Sequence, residues 1–162
     1  MTTVCYSQPV DCFLTKKFNT AIFPDSYKSQ YFPQLDSFQR FTPTRLEVEE
    51  TEKLLRHRIK LIVKSSFGKS PSFVIKDKKR IYRRLKHFNR QYFGIVNAKG
   101  ERILWICANY TGTWLERLKY GNEYYKCETE YVSVLDGGAS VWGISFNLNT
   151  KKFYGFGTNG YA

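Results

Sequence analysis

Long apolar runs are missing from this chain. No stretch of about 18 apolar residues occurs in its 162 positions, so no helix is expected to span a membrane. Histidine is scarce: His57 and His87 stand far apart, and no HExxH pattern holds them. The cysteines, Cys5, Cys12, Cys107 and Cys127, form no CxxC pair, which removes the common zinc patterns. GxSxG and the phosphate-binding P-loop pattern are absent. Gly155, Gly157 and Gly160 match GxGxxG by letters only, because the chain ends without a helix whose N-terminus would hold a phosphate. No cofactor and no metal ion is therefore expected. The opening "MTTVCYSQPVDCFLTKK" lacks a charged region followed by an apolar run, so no signal peptide is expected in it.

Acid is missing too, but only locally. Residues 1–50 hold five Lys/Arg and six Asp/Glu, and residues 91–162 hold seven and six. Residues 51–90 hold fourteen and two, so the whole net charge of +12 comes from that stretch. An excess of this kind attracts polyanions: nucleic acid, anionic lipid or an acidic protein face. The bland alternative is a solvated face.

What the chain has in plenty is aromatic rings, 17% of its residues. Residues 1–41 carry Phe13, Phe18, Phe23, Tyr27, Tyr31, Phe32, Phe38 and Phe41, too many for a disordered tail. Pro24 and Pro33 break regular elements, so this segment reads as an irregular wrap over the domain. The next stretch, "FTPTRLEVEETEKLLRHRIKLIVK", is a long helix. Thr42 before Pro43 offers one N-cap; Thr44 with Glu47 offers a competing capping box. Acids come early and bases late, which suits the helix dipole. Val48, Thr51, Leu55, Ile59 and Ile62 share a face widened by Leu54. Residues 66–75 read as a loop. Ile81, Leu85 and Phe88 then recur at helical spacing within 76–90, a short basic helix.

From Gln91 the period changes to two. "QYFGIVN" and "ERILWICANY" flank a glycine turn, a hairpin signal. Thr113 with Glu116 predicts a short helix stopped by Gly121. "TEYVSVL" reads as a third strand, "DGG" as a turn, the Trp142–Leu148 row as a fourth strand and "KKFYGFG" as a fifth. The expected architecture is one α+β domain. A long N-terminal helix lies on an antiparallel, curved meander of four to five strands, with the aromatic-rich segment wrapped around it.

"FTPTRLEVEETEKLL", "RQYFGIVNAKGERILWI" and "VLDGGASVWGISFNLNTKKFYGFGTNGYA" resemble motifs of small uncharacterised bacterial proteins, often exported. The helix-then-meander order is similar to cystatin-like and NTF2-like folds. The resemblance spans about two-thirds of the chain and implies fold and export, with no catalytic role. It favours an exported protein whose leader is gone over a cytoplasmic one.

Candidate chemistry is thin. The four cysteines could pair as disulfides, although Cys107 in a strand equally reads as a buried free thiol. Asp136 with Gly137 and Gly138 reads as hairpin chemistry rather than an acid beside exposed N–H groups. Glu49/Glu50 and Glu128/Glu130 read as a helix start and a strand surface. The basic stretch is what remains. Lys76, Lys78, Lys79, Arg80, Arg83, Arg84, Lys86 and Arg90 form the candidate binding face, with Lys78, Lys79, Arg83, Arg84 and Lys86 on the outside of the helix. The function expected is a non-catalytic module docking an acidic protein or an envelope polyanion. One alternative is sequence-tolerant binding of single-stranded nucleic acid, with Tyr82, Phe88, Tyr92 and Phe93 for stacking. A second is an enzyme with its pocket between helix and sheet.

Overall fold

The computed structural model describes residues 9–14, 19–30, 33–67, 72–112, 129–132 and 137–159. The predicted short helix after Gly112, as well as Asp136, Cys5 and Cys127, lies outside them. Among the described residues the chain runs β1 (Asp11–Leu14), β2 (Asn19–Phe23), a 3-10 turn (Pro33–Ser37), β3 (Gln39–Phe41), α1 (Arg45–Phe67) and α2 (Ser72–Arg83). A second 3-10 turn (Leu85–His87) then leads into β4 (Phe88–Val96), β5 (Arg102–Tyr110), β6 (Val141–Asn147) and β7 (Lys152–Thr158).

The α+β class holds, but the sheet is mixed and seven-stranded rather than an antiparallel meander of four or five. Its order is β1-β2-β4-β5-β6-β7. β2 runs parallel to β4, from Thr20 beside Arg90 to Phe23 beside Phe93. β3 continues along the same edge of β4, antiparallel, from Phe41 beside Gly94 to Gln39 beside Val96. The parallel pairing is possible because both helices lie between β2 and β4 and carry the chain back. The segment read as an irregular wrap thus supplies three strands. β2 hid its nature because all five of its residues are buried. A strand covered on both faces shows no alternation.

The C-terminal part keeps closer to expectation. β4 and β5 form the hairpin, closed at Gly100 with φ +75°. Asn97 Oδ1 accepts the N–H groups of Lys99 and Glu101 across that turn. β6 and β7 form the last hairpin. Residues 129–132, assigned to a third strand from sequence, are not in strand, and β5 pairs directly with β6.

α1 begins at the second of its two competing caps. Thr44 N–H donates to Glu47 Oε2 at 2.9 Å, and Glu47 N–H donates back to Thr44 Oγ1 at 3.2 Å. Thr42 instead accepts the N–H of Asp25 at 3.0 Å, pinning the preceding loop. The helix buries Val48, Thr51, Glu52, Leu55, Ile59 and Val63. Leu54 and Ile62 sit at the margin of that stripe. Against it lie Ile22, Tyr92, Leu104, Ile106, Trp142, Ile144 and Phe146 of the sheet. The opposite sheet face has its own core of Ala21, Phe23, Leu35, Phe93 and Cys107, where the Phe23 and Phe93 rings stack at 4.4 Å. Tyr27, Trp105 and Tyr131 pack on that second core.

Candidate functional site

The expected basic helix is shifted and shorter. α2 spans Ser72–Arg83, so residues 72–75, read as loop, are helical, while Phe88 and Arg90 belong to a strand. Lys79, Arg80, Arg83 and Lys86 are exposed. Arg84 is half-buried and donates from Nη1 to Tyr110 Oη at 2.9 Å. Lys76 lies on α2 with its side chain outside the described part.

Two members of the expected face are not on it. Lys78 is buried, because positions 78, 81 and 85 share the inward side with Ile81 and Leu85. Arg90 is buried as well, its side chain fully covered. On β4 the residues Phe88, Arg90 and Tyr92 alternate toward α1. Arg90 Nε stands 2.7 Å from Glu52 Oε1, and Tyr92 Oη donates to the same oxygen at 2.6 Å. The Arg90 guanidinium also donates to the carbonyls of Phe88 and, at 2.8 Å, Leu85. Burial first, then the Glu52 carboxylate, drives the Tyr92 phenol well above its ordinary range, so it stays a donor.

This Glu52–Arg90–Tyr92 group gathers titratable side chains between helix and sheet, the place named for an enzymatic pocket. Leu55, Ile59, Trp142 and Ile144 fill the space around it. Phe88, Tyr92 and Phe93, named for base stacking, are likewise buried in the two cores. The Arg84–Tyr110 contact borders a cavity of about 10 Å³ lined also by Arg80, Phe88, Ala139 and Ser140. That volume holds one water molecule. A broad open groove of about 410 Å³ runs past Asp25, Lys28, Asp36, Phe38 and Arg40, crossed by a Lys28–Asp36 ion pair at 3.5 Å.

The histidines do not meet. His57 is exposed on α1, and His87 packs edge-on to Tyr110 with ring centroids 6.4 Å apart. Among the described residues no cluster of three or more His, Cys, Asp or Glu could hold a metal ion. Cys12 is disulfide-bonded, whereas Cys107 is free and buried, so at most one disulfide draws on the four cysteines. Burial pushes the Cys107 thiol far above its ordinary value, which leaves it a poor nucleophile.

A second set of basic side chains, on α1, escapes the sequence reading. Lys53, Arg56, His57, Lys60 and Lys64 are exposed and recur at helical spacing opposite the buried stripe. The signal is legible in hindsight: the same 3.6-residue period that marks the apolar face places these five on its reverse. Both helices pack onto the same sheet face, so their outer sides form one layer. None of Lys53, Arg56, Lys60, Lys64, Lys79, Arg83 or Lys86 pairs with an acid among the described residues. No helix among the described residues is long and apolar enough to cross a membrane. No family model, no curated protein and no solved structure matches the chain.

Proposed function

We propose that the chain is a docking module that binds a polyanionic partner, an acidic protein or an envelope polyanion, through the outer layer of α1 and α2. The observation that carries this reading is the set of seven exposed Lys and Arg side chains, six on that layer and Lys86 in the turn that follows α2, that pair with no acid among the described residues. Elsewhere among the described residues Arg45 pairs with Asp11, Arg102 with Glu47, Lys151 with Glu50 and Arg90 with Glu52, while the exposed Lys99 and Lys152 stand singly and do not form a cluster. A surface that gathers cations of one sign raises the local concentration of anions and speeds their encounter. The filled interior between helix and sheet leaves the enzyme reading without support. Burial of Phe88, Tyr92 and Phe93 leaves only the half-buried Tyr82 of the four rings named for stacking, which weakens the support for the single-strand reading.

The test is binding to polyglutamate and to inorganic polyphosphate across a salt series. Binding should be tight at low salt and fall steeply as the Debye length shrinks from about 30 Å to about 8 Å. Reversing Lys79, Arg83 and Lys86 to Glu together with Lys53 and Lys60 should abolish it. No binding at low salt, or binding indifferent to the reversal, overturns the reading.

A further inference from the structure

We infer that the outward stripe of α1 is a membrane-contact surface that lays Lys53, Arg56, Lys60 and Lys64 against the headgroups of an anionic bilayer. This rests on the docking reading and names its partner. The stripe covers 53–64, about 17 Å of helix at 1.5 Å per residue. Val48, Leu55, Ile59 and Val63 pin the opposite face to the sheet, so the cations cannot turn inward and project together. Leu61 stands among them at 69% exposure. The other large exposed hydrophobic residues, Phe38, Leu46 and Tyr154, lie away from this half of the helix.

The chemistry of the patch selects among polyanions. A shaped protein partner is usually gripped by Trp, Tyr or Arg anchors that seat in pockets. Of these the described outer residues of 53–66 hold Arg56 and Arg58 but no Trp or Tyr, and the cavities described lie elsewhere, so neither arginine has a ring or pocket beside it to complete an anchor. Flexible cations around one protruding leucine suit a fluid surface instead. Headgroups can move to each ammonium and guanidinium, and the leucine can reach the acyl boundary. Glu49 and Glu50 are exposed one turn earlier, so repulsion ends the contact at Lys53 and inclines the helix, C-terminal half inward.

The experiment is co-sedimentation of the full chain with phosphatidylglycerol-containing vesicles and with pure phosphatidylcholine vesicles, alongside the polyglutamate and polyphosphate assays. Partitioning should require the anionic lipid and weaken with salt. Reversal of Lys53, Arg56, Lys60 and Lys64 to Glu should lower it more than about tenfold, and reversal of Lys79, Arg83 and Lys86 should lower it less. Leu61→Trp should add a tryptophan emission that shifts to the blue on anionic vesicles, and Leu61→Asp should weaken partitioning. All these positions are exposed, and circular dichroism is the check that each variant keeps its fold. Binding to the soluble polyanions without binding to vesicles overturns the lipid inference and leaves the docking reading standing. Absence of both removes both. Equal partitioning to neutral and anionic vesicles, a stronger affinity for duplex DNA than for vesicles, or an added tryptophan emission that vesicles leave unshifted in the L61W variant also overturns the lipid inference.

Discussion

Glu52 of α1 and Arg90 of β4 meet at 2.7 Å in the core, with side chains 7% and 0% exposed. The pair ties helix to sheet, and through the Leu85 and Phe88 carbonyls it also fixes the turn between α2 and β4. Two desolvated charges of this kind are costly to bring together and costlier to separate.

Arg90→Met alone should therefore lower stability by about 3–5 kcal/mol, because Glu52 is left buried without its cation. The double variant Glu52→Leu/Arg90→Met should recover most of that loss. Urea denaturation of the three proteins measures it. Additive losses in the double variant would refute the pairing.

Gly94 lies where β3 crosses close to β4. A Cβ there would sit 2.1 Å from the Phe41 carbonyl oxygen. Gly94→Ala should cost about 3 kcal/mol through overpacking against backbone that cannot yield. Amide exchange should quicken first in β3, whose register with β4 the methyl group would break.

Glu47 sets an acid limit. Burial raises its pKa, but the Thr44 N–H and hydroxyl and the Arg102 guanidinium outweigh burial, and the net pKa lies below the ordinary 4.5. A carboxylate with a depressed folded pKa stabilises above its unfolded value and loses that contribution as pH falls through the folded one. Melting temperature should thus drop as the pH goes below about 4.5, and more shallowly in Glu47→Gln. That variant keeps an amide oxygen for the capping box and loses the charged pair with Arg102, a surface-side loss of up to about 1 kcal/mol near neutral pH.

Gln91 holds a strap over the second core. Its Nε2 donates to the Glu130 carbonyl at 2.6 Å and its Oε1 accepts the Val132 N–H at 3.1 Å, while Tyr27 Oη accepts the Tyr131 N–H at 2.8 Å. Gln91→Ala should loosen residues 130–132 and uncover Cys107. The measurement is labelling by a thiol reagent, which should accelerate about tenfold or more if roughly 1.5–2 kcal/mol of local opening energy is lost. Unchanged labelling would mean the strap is held by Tyr27 alone.

Where one face of an element meets water, local pattern marked it. α1 and the β6–β7 hairpin recur or alternate with a clear period, while β4 and β5, covered on both faces for most of their length, were marked instead by their nine-residue runs and the glycine turn between them. β2 was illegible because Asn19–Phe23 is covered on both sides. Its parallel pairing with β4 was illegible for another reason: strand partners across a helical crossover leave no trace in neighbouring residues. The basic run shows the same division. Its charge could be counted in the sequence, but not which cations face water.

Composition and period alone determined an α+β chain with a ring-rich core and one concentrated positive stretch. Tertiary structure decided which of those charges are available. It drew Arg90 against Glu52 and turned Lys78 inward with Ile81, while it left Lys53, Arg56, Lys60 and Lys64 outside. The physical reason is that burial is a property of two surfaces meeting. A side chain's own helix or strand period says which neighbours it points with, and only the packed partner says whether water remains on that side.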